Sequence, residues 1–534
     1  MEKSAGRKSQ DVGEAAATVP ASVAKPKLVL RIAKPADVGA IAELSKRVYG
    51  PEAAYSRRQI RGQINNFSEG QFVAEYDGKV VGHAATFVIS GRFALKPHSW
   101  TEITGNGYAS RHDPDGDYLY GMEVSVDPRY RRLRIGQRLY RARKNLCEDW
   151  GLKGIVFGGR MPGYNRKRRQ YPDPIDYINA VRERTIRDSA ISFHIAQDFE
   201  PIGYLEQYDP SDTQSGGYAT HMLWKNPRYD EMAGASAARA SLSPQEVVRV
   251  ATVQWQMRGI NHQDEFKKQV EYFVDVASDY ESDFIVFPEL FTNQLLSLEE
   301  EPLPPKEGME RIATYTDWFV KFMSQFAVSY NVNIIGGSHC TKDKSGNIRN
   351  VAYVFLRDGS VHVQDKIHPT PSESYWWDIR GGNRVEAINT DCGPIGVLIC
   401  YDAEFPELTR HLADQGAMIL FVPFCTDERR GFLRVRYCCH ARAIENQIYV
   451  ALSGVVGNLP NVENMDIHYA ESCILTPCDF AFARDGIAAD TGANTETIAF
   501  ADLRLSDLRA ARAQGSTRNF HDRRFDLYRV VWRR

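Results

Sequence analysis

The sequence predicts an α/β protein of two globular parts, and three observations carry that expectation. Short β-branched and aromatic runs alternate along most of the chain with stretches whose apolar residues recur at helical spacing, a pattern that packs helices against sheets. Residues 226–246, with Ala233-Gly234-Ala235-Ser236-Ala237-Ala238 in the middle, follow neither period and read as an interdomain linker. In the second part, three apolar runs end on reactive side chains: Asp283–Leu290 on Glu289, Val361–Pro369 on Lys366, and Gly393–Glu407 on Cys400. Strand ends open onto the crevice of an α/β sheet, so a side chain there meets a ligand while its backbone stays fixed.

Composition narrows the class. At 534 residues, 43% apolar and 25% charged, the chain is that of an ordinary globular protein with two to four domains. A formal charge of −2 gives no reason to expect nucleic acid or a membrane surface as partner. No apolar stretch approaches the ~20 residues of a membrane span, and no positive-then-apolar leader is present. Nine cysteines without a C-x-x-C pair suggest a reducing cytoplasm. The 13 histidines do not group with cysteines at ligand spacing, so no metal is expected.

In chain order, residues 1–27 are rich in Ala, Ser, Lys and Glu and read as a disordered leader. Leu28–Ile32 is a strand, and Pro35-Ala36-Asp37 opens an amphipathic helix through Tyr49. Gln71–Gly82 is a hairpin with an Asp77-Gly78 turn. Tyr118–Val126 is a strand broken by Asp127-Pro128, and a helix is expected from Arg131 onward. A strand, a basic turn and a helix N-terminus form a pyrophosphate site, because free backbone N–H groups point outward there; a solvated basic helix start is the alternative.

Over about residues 28–225 this order resembles the GNAT acyl-CoA N-acetyltransferases, whose motif in this place is R/Q-x-x-G-x-G/A; Ala190–Tyr204 is similar to their later helix and G-F-x-x-x-G-Y turn. The resemblance implies acetyl-CoA as co-substrate, held by Val124, Val126, Arg131, Arg132, Arg134, Ile135 and Gly136, and an amine as acceptor. Arg134 stands where the family has its first glycine, and His194 where a tyrosine often serves as acid. Glu123 lies where members often carry a base, and reads first as a surface carboxylate. Gly158–Asp188 is longer than the usual connection, and its basic run Asn165-Arg166-Lys167-Arg168-Arg169-Gln170 reads as a solvated loop, with contact to the 3′-phosphate of coenzyme A or an acidic substrate as the alternative.

Beyond residue 247 strand and helix patterns alternate, including one helix over Met309–Tyr330 and a hairpin around Asp358-Gly359. The ordered set Glu289, Lys366, Cys400, with Glu373 after the lysine and Cys400-Tyr401-Asp402-Ala403-Glu404-Phe405-Pro406-Glu407 around the thiol, resembles the nitrilase superfamily of carbon–nitrogen hydrolases. Ala441–Val450 is similar to the R-A-x-E-N-x-x-Y-V element of that family, whereas Ala470–Asp479 lacks both glycines of its G-x-S-x-I-x-x-P-x-G stretch. The resemblance implies a four-layer αββα sandwich, a Glu289–Lys366–Cys400 triad with Glu373 positioning the lysine, an oxyanion donor in the Tyr401 N–H, and a homodimer or larger homo-oligomer. The expected substrate is a small carboxamide or N-carbamoyl amine.

The residues support the same chemistry. A thiol titrating near about 8.5 is mostly protonated at neutral pH, and a neighbouring carboxylate raises that further, so Glu289 must accept its proton. The Lys366 ammonium offsets the repulsion and donates to the oxygen that becomes negative on attack. The expected organisation is thus a leader at 1–27, a GNAT-like domain at 28–225, a linker at 226–246 and a nitrilase-like domain at 247–534. Two other readings stand beside a bifunctional enzyme: a hydrolase with a non-catalytic acyl-CoA sensor, and a pair of assembly scaffolds.

Overall fold

The computed structural model describes residues 28–229, 247–460, 462–463, 465 and 467–532. The expected leader, and all but the first four residues of the expected linker, lie outside the described residues. A seven-stranded sheet in the N-terminal half and twelve strands in two facing sheets in the C-terminal half make up the rest.

The first is a seven-stranded sheet in the order β1-β2-β3-β4-β5-β7-β6, from β1 (Leu28–Ile32), β2 (Gln71–Tyr76), β3 (Lys79–Ile89), β4 (Tyr118–Val126), β5 (Gly154–Arg160), β6 (Glu200–Leu205) and β7 (Ala219–Lys225). Its hairpin turns at Asp77 and Gly78, both with positive φ, as a tight two-residue turn requires. β4 and β5 are parallel and pair only over Tyr118–Tyr120 with Gly154–Val156. The rest of β4, from Gly121 to Val126, borders the opening between the two strands. Helices α1 (Val38–Tyr49) and α2 (Arg57–Asn66) belong to the segment between β1 and β2, and α3 (Ile135–Asp149) follows β4.

Two expectations change here. The helix after β4 begins at Ile135 rather than Arg131, because Pro128–Leu133 winds into a 3-10 turn and Arg134 takes φ 55°. The long connection, whose basic run at 165–170 reads as a solvated loop, instead contains a short helix over Tyr164–Lys167 and α4 (Pro174–Arg182), whose N-cap Asp173 precedes Pro174. Buried Tyr164, Tyr177 and Ile178 supply an apolar face that the basic run at 165–170 obscured.

The C-terminal half is an αββα sandwich. β8 (Val247–Met257), β9 (Phe284–Val286), β10 (Asn333–Lys342), β11 (Ile348–Phe355), β12 (Val361–Asp365) and β19 (Thr497–Arg504) form one sheet. β13 (Ile388–Thr390), β14 (Gly393–Val397), β15 (Ile419–Phe424), β16 (Tyr449–Gly457), β17 (Cys473–Leu475) and β18 (Ile487–Asp490) form the other. Parallel pairing of Val455–Gly457 with Trp255–Met257 joins them at one corner. The period-2 alternation of β8 sends Val248 and Val250 into the core shared by the two sheets, where the Phe284 and Phe421 rings meet at 5.2 Å. Ala251, Val253 and Trp255 turn to the other face, against α5 (Gln263–Asp279), α6 (Pro305–Ala313) and α7 (Thr316–Ser329). The single helix expected over 309–330 is two, broken at Thr314–Tyr315. Among the described residues, no helix is long and apolar enough to cross a membrane.

The two halves meet along α2. Asn65 and Asn66 donate to the Gln415 and Asp414 carbonyls at 2.9 and 3.2 Å, at the C-terminal end of the helix Pro406–Asp414. Arg61 pairs with Glu386. The approach is close: Gly416 has φ 98°, and a Cβ added there would lie 2.9 Å from the Asn65 Cβ. Gly416→Ala should therefore cost about 1–3 kcal/mol through left-handed strain and the clash. The check is calorimetric unfolding, with a lowered melting temperature as the expected result and an unchanged one as the refutation.

Candidate active site

Glu289, Lys366 and Cys400 each stand where a strand gives way to a turn, and Glu373 on a short helix. Glu289 follows β9, and the next residue, Leu290, adopts φ 54° with its N–H donated to Ser338 Oγ at 3.1 Å. Lys366 follows β12, its backbone N–H donated to the Asn350 carbonyl at 2.8 Å. Glu373 lies in the first turn of α8 (Pro371–Trp376), in a capping box: it accepts the Thr370 N–H at 2.7 Å while its own N–H goes to Thr370 Oγ1 at 3.2 Å. Cys400 opens the 3-10 turn Cys400–Glu404 after β14, with φ 47°. A non-glycine residue seldom takes that conformation outside tight turns and functional sites.

The structure brings Glu289, Lys366, Glu373 and Cys400 into one buried cluster. Lys366 Nζ lies 2.8 Å from Glu289 Oε1 and 2.6 Å from Glu373 Oε2, with 1% of its side chain exposed. Glu289 Oε2 accepts the Cys425 N–H at 2.9 Å, and the Cys400 thiol is close enough to the Glu289 carboxylate to influence its titration. The Cys400 sulfur also lies 3.9 Å from the Cys425 carbonyl.

Burial and charge divide the groups. Burial raises the Glu289 pKa above the ordinary carboxylate value, against the opposing pull of Lys366. Glu373 is buried too, but Lys366 and the Thr370 N–H hold it below that value. Burial works against the Lys366 charge, yet Glu289 and Glu373 raise its pKa well above that of a free lysine. Burial and Glu289 push Cys400 well above a free thiol, so at rest it carries its proton. The arrangement is a protonated thiol beside a carboxylate of raised basicity, with a fixed ammonium adjacent.

Three contributors escaped the sequence reading. Asn350 donates to both carboxylates, 2.9 Å to Glu289 Oε1 and 2.9 Å to Glu373 Oε1; its signal was an amide within the apolar run of β11. Asp402, fully buried, accepts the Ile367 and His368 N–H groups at 2.9 and 2.8 Å and the His368 ring at 3.0 Å, tying the thiol turn to the lysine loop. Cys425 contributes its backbone, which no side-chain pattern signals. The missing glycines at 470–479 leave the fold intact, since neither Ala470 nor Asp479 has positive φ and β17 pairs with β16 as a regular strand. Tyr375 and Trp376 are exposed whereas Trp377 packs inward, and Asp427–Arg430 are exposed.

In the N-terminal half, the expected surface carboxylate Glu123 is buried, its side chain on the part of β4 that β5 leaves, 3.9 Å from the His83 ring. Burial raises its pKa to about 7. His194 meets the Tyr140 hydroxyl at 3.0 Å, and burial with Arg143 lowers its pKa to about 3, so the imidazole is neutral near pH 7. Val124 and Val126 are half-buried beside the N-terminal end of α3, and Arg131 and Arg134 are exposed there. Nothing is described of the Arg132 side chain. Arg134 holds φ 55°, the left-handed conformation that glycine enters readily, so the turn keeps its shape without that glycine. A Cβ on Gly136 would come 3.2 Å from the Phe193 ring, so this glycine admits an aromatic neighbour. An anion-accepting helix start beside basic side chains fits the pyrophosphate of a coenzyme A thioester.

With this geometry in hand, the C-terminal half is an αββα protein that buries a glutamate, a lysine and a thiol together. The carbon-nitrogen hydrolase family model matches residues 249–513, and the acetyltransferase (GNAT) family model residues 39–171. "Probable hydrolase YhcX" of Bacillus subtilis is 44% identical over 508 residues, covering 95% of this chain and 98% of that protein. "Uncharacterized N-acetyltransferase YkwB" of the same organism is 29% identical across 38% of this chain and 90% of its own length. "Omega-amidase NIT3" of Saccharomyces cerevisiae is 29% identical across 48% of this chain and 87% of its own. The chain belongs to the nitrilase-type carbon–nitrogen hydrolases and carries a GNAT domain ahead of the hydrolase domain.

Gly337 is the structural weak point of the site. It has φ 58°, and a Cβ there would lie 2.0 Å from the Pro288 carbonyl oxygen, next to Glu289. Gly337→Ala should displace Glu289 and slow iodoacetamide labelling of Cys400 by about tenfold or more, since a small misplacement of an acid–base partner costs that much. Peptide mass analysis of labelled protein checks this, and wild-type labelling in a folded variant would refute it.

Proposed function

We propose that the C-terminal domain hydrolyses a small carboxamide or N-carbamoyl amine through a thioester on Cys400. The observation that carries this is the buried thiol beside Glu289, with Lys366 fixed between two carboxylates. Glu289 takes the Cys400 proton as sulfur attacks the carbonyl carbon. The oxygen gains charge toward Lys366 and the Tyr401 N–H. Collapse breaks the C–N bond, and Glu289 returns its proton to the leaving amine or ammonia. Glu289 then deprotonates water, which attacks the thioester carbon and releases the carboxylic or carbamic acid and the Cys400 thiol. Glu373 holds Lys366 in place. The omega-amidase likeness and the C-Y-D-x-x-F-P-E pattern favour an amide over a nitrile. The nine free cysteines suit a reducing cytoplasm, and the family implies a homodimer or larger assembly.

Intact-mass analysis with small amides and N-carbamoyl amines, with ammonia release followed in parallel, tests the reading. Cys400→Ala should abolish both adduct and turnover. Lys366→Met should lower turnover on the order of a hundredfold or more, the effect of one lost oxyanion donor. Turnover persisting in Cys400→Ala would refute the nucleophile.

For the N-terminal domain we propose acetyl transfer from acetyl-CoA to an amine. Coenzyme A supplies the activated acetyl thioester; Val124, Val126, Arg131, Arg132, Arg134, Ile135 and Gly136 would hold it. Glu123 removes the acceptor's proton, and Tyr140, bonded to the neutral His194, is the hydroxyl available to the departing thiolate. As a base Glu123 works only when ionised, so transfer should rise with pH, half-maximal near 7. Glu123→Gln should remove that limb and about two orders of magnitude of rate; an unchanged pH profile would exclude Glu123. The substitutions at Arg134 and His194 favour one second reading, an acyl-CoA sensor, for which retained coenzyme A binding without transfer to any amine is the signature.

A further inference from the structure

The Asn350 side chain faces both glutamates of the hydrolase site. It is almost fully buried on β11, and its two N–H bonds are both used, one on each carboxylate at 2.9 Å. Its Oδ1 is buried with no hydrogen-bond partner. The opposite amide orientation would set a carbonyl oxygen against two carboxylate oxygens, so the glutamates dictate this one. The Asn350 carbonyl also accepts the Lys366 N–H at 2.8 Å, so one residue registers the lysine backbone and both acids.

Resting on the hydrolase reading above, we propose that Asn350 is a positioning residue that keeps Glu289 and Glu373 ionised together and thereby leaves Glu289 able to take the Cys400 proton. Two carboxylates around one ammonium carry one net negative charge. Like charges this close favour sharing a proton, which would fill the base before the thiol could. A second cation would prevent that but would also weaken Glu289 as a base. An amide donates to both acids and adds no charge. The other titratable groups facing Glu289 are Lys366, Glu373 and the thiols of Cys400, Cys425 and Cys340. Burial and these carboxylates hold Cys425 and Cys340 protonated, so neither supplies charge near neutral pH.

The test is the pH dependence of iodoacetamide labelling at Cys400, read by peptide mass in the full-length chain, with Cys400→Ala as background. In wild type the rate should rise along one limb as Glu289 ionises. The near-isosteric Asn350→Asp adds a third acid, so a shared proton should persist to higher pH. The limb should move up by about one pH unit or more, with labelling at pH 7 slowed about tenfold or more. Asn350→Thr keeps one donor and should move the limb the same way by less; it decides the matter if Asn350→Asp does not fold. A role confined to packing would lower the melting temperature and leave the limb in place, and that result in either folded variant overturns the inference. A wild-type Cys400 that resists labelling at every pH would overturn the hydrolase reading itself, which is distinguishable because no variant is needed to see it.

Discussion

The Lys366 ammonium, held between Glu289 and Glu373 out of contact with water, is the interaction on which the hydrolase half depends. Desolvating three charges is expensive, and their attraction compensates only where the remaining hydrogen-bonding capacity is also met. The backbone N–H groups of Thr370 and Cys425 and the Asn350 amide meet it. These groups come from both sheets: Glu289, Asn350 and Lys366 from one, Cys425 and Cys400 from the other. Sandwich packing and the geometry of the charged cluster are thus one constraint, and removal of one charged partner would cost about 3–5 kcal/mol in stability.

Around that cluster the backbone is held in uncommon conformations. Leu290 and Cys400 both lie at positive φ, a few residues past the ends of β9 and β14. Such residues persist where neighbours over-determine them. Asp402 does so for the thiol turn, accepting from two consecutive backbone N–H groups and a histidine ring on the lysine loop. Gly337 does so for Glu289 by letting the Pro288 carbonyl approach where a side chain would stand.

The N-terminal half uses a different device. Its parallel strands part after three paired residues, so polar side chains on β4 border an opening without losing their sheet on the β3 side. α2 of this half packs against the end of the helix that follows the Cys400 turn. One helix, Pro406–Asp414, therefore runs from the thiol turn to the seam between the domains.

The alternation of strands and helices was legible in the chain because strands carry a period-2 or wholly apolar pattern locally, whereas the αββα and GNAT architectures followed from the resemblance of their motifs to known families. The Glu289, Lys366 and Cys400 positions were legible because each terminates such a run, and Glu373 through its place after Lys366 in the nitrilase-like motif. Buried Glu123 was misread, since a lone carboxylate on a strand looks the same whether its face is covered or not. Asn350, Asp402 and the Cys425 backbone were invisible as site groups: their partners lie 23 to 136 residues away. The sequence by itself determined which side chains stand at strand ends, through local periodicity. Only the tertiary structure decided how they share charge, because burial and hydrogen-bond partners arise where distant segments meet.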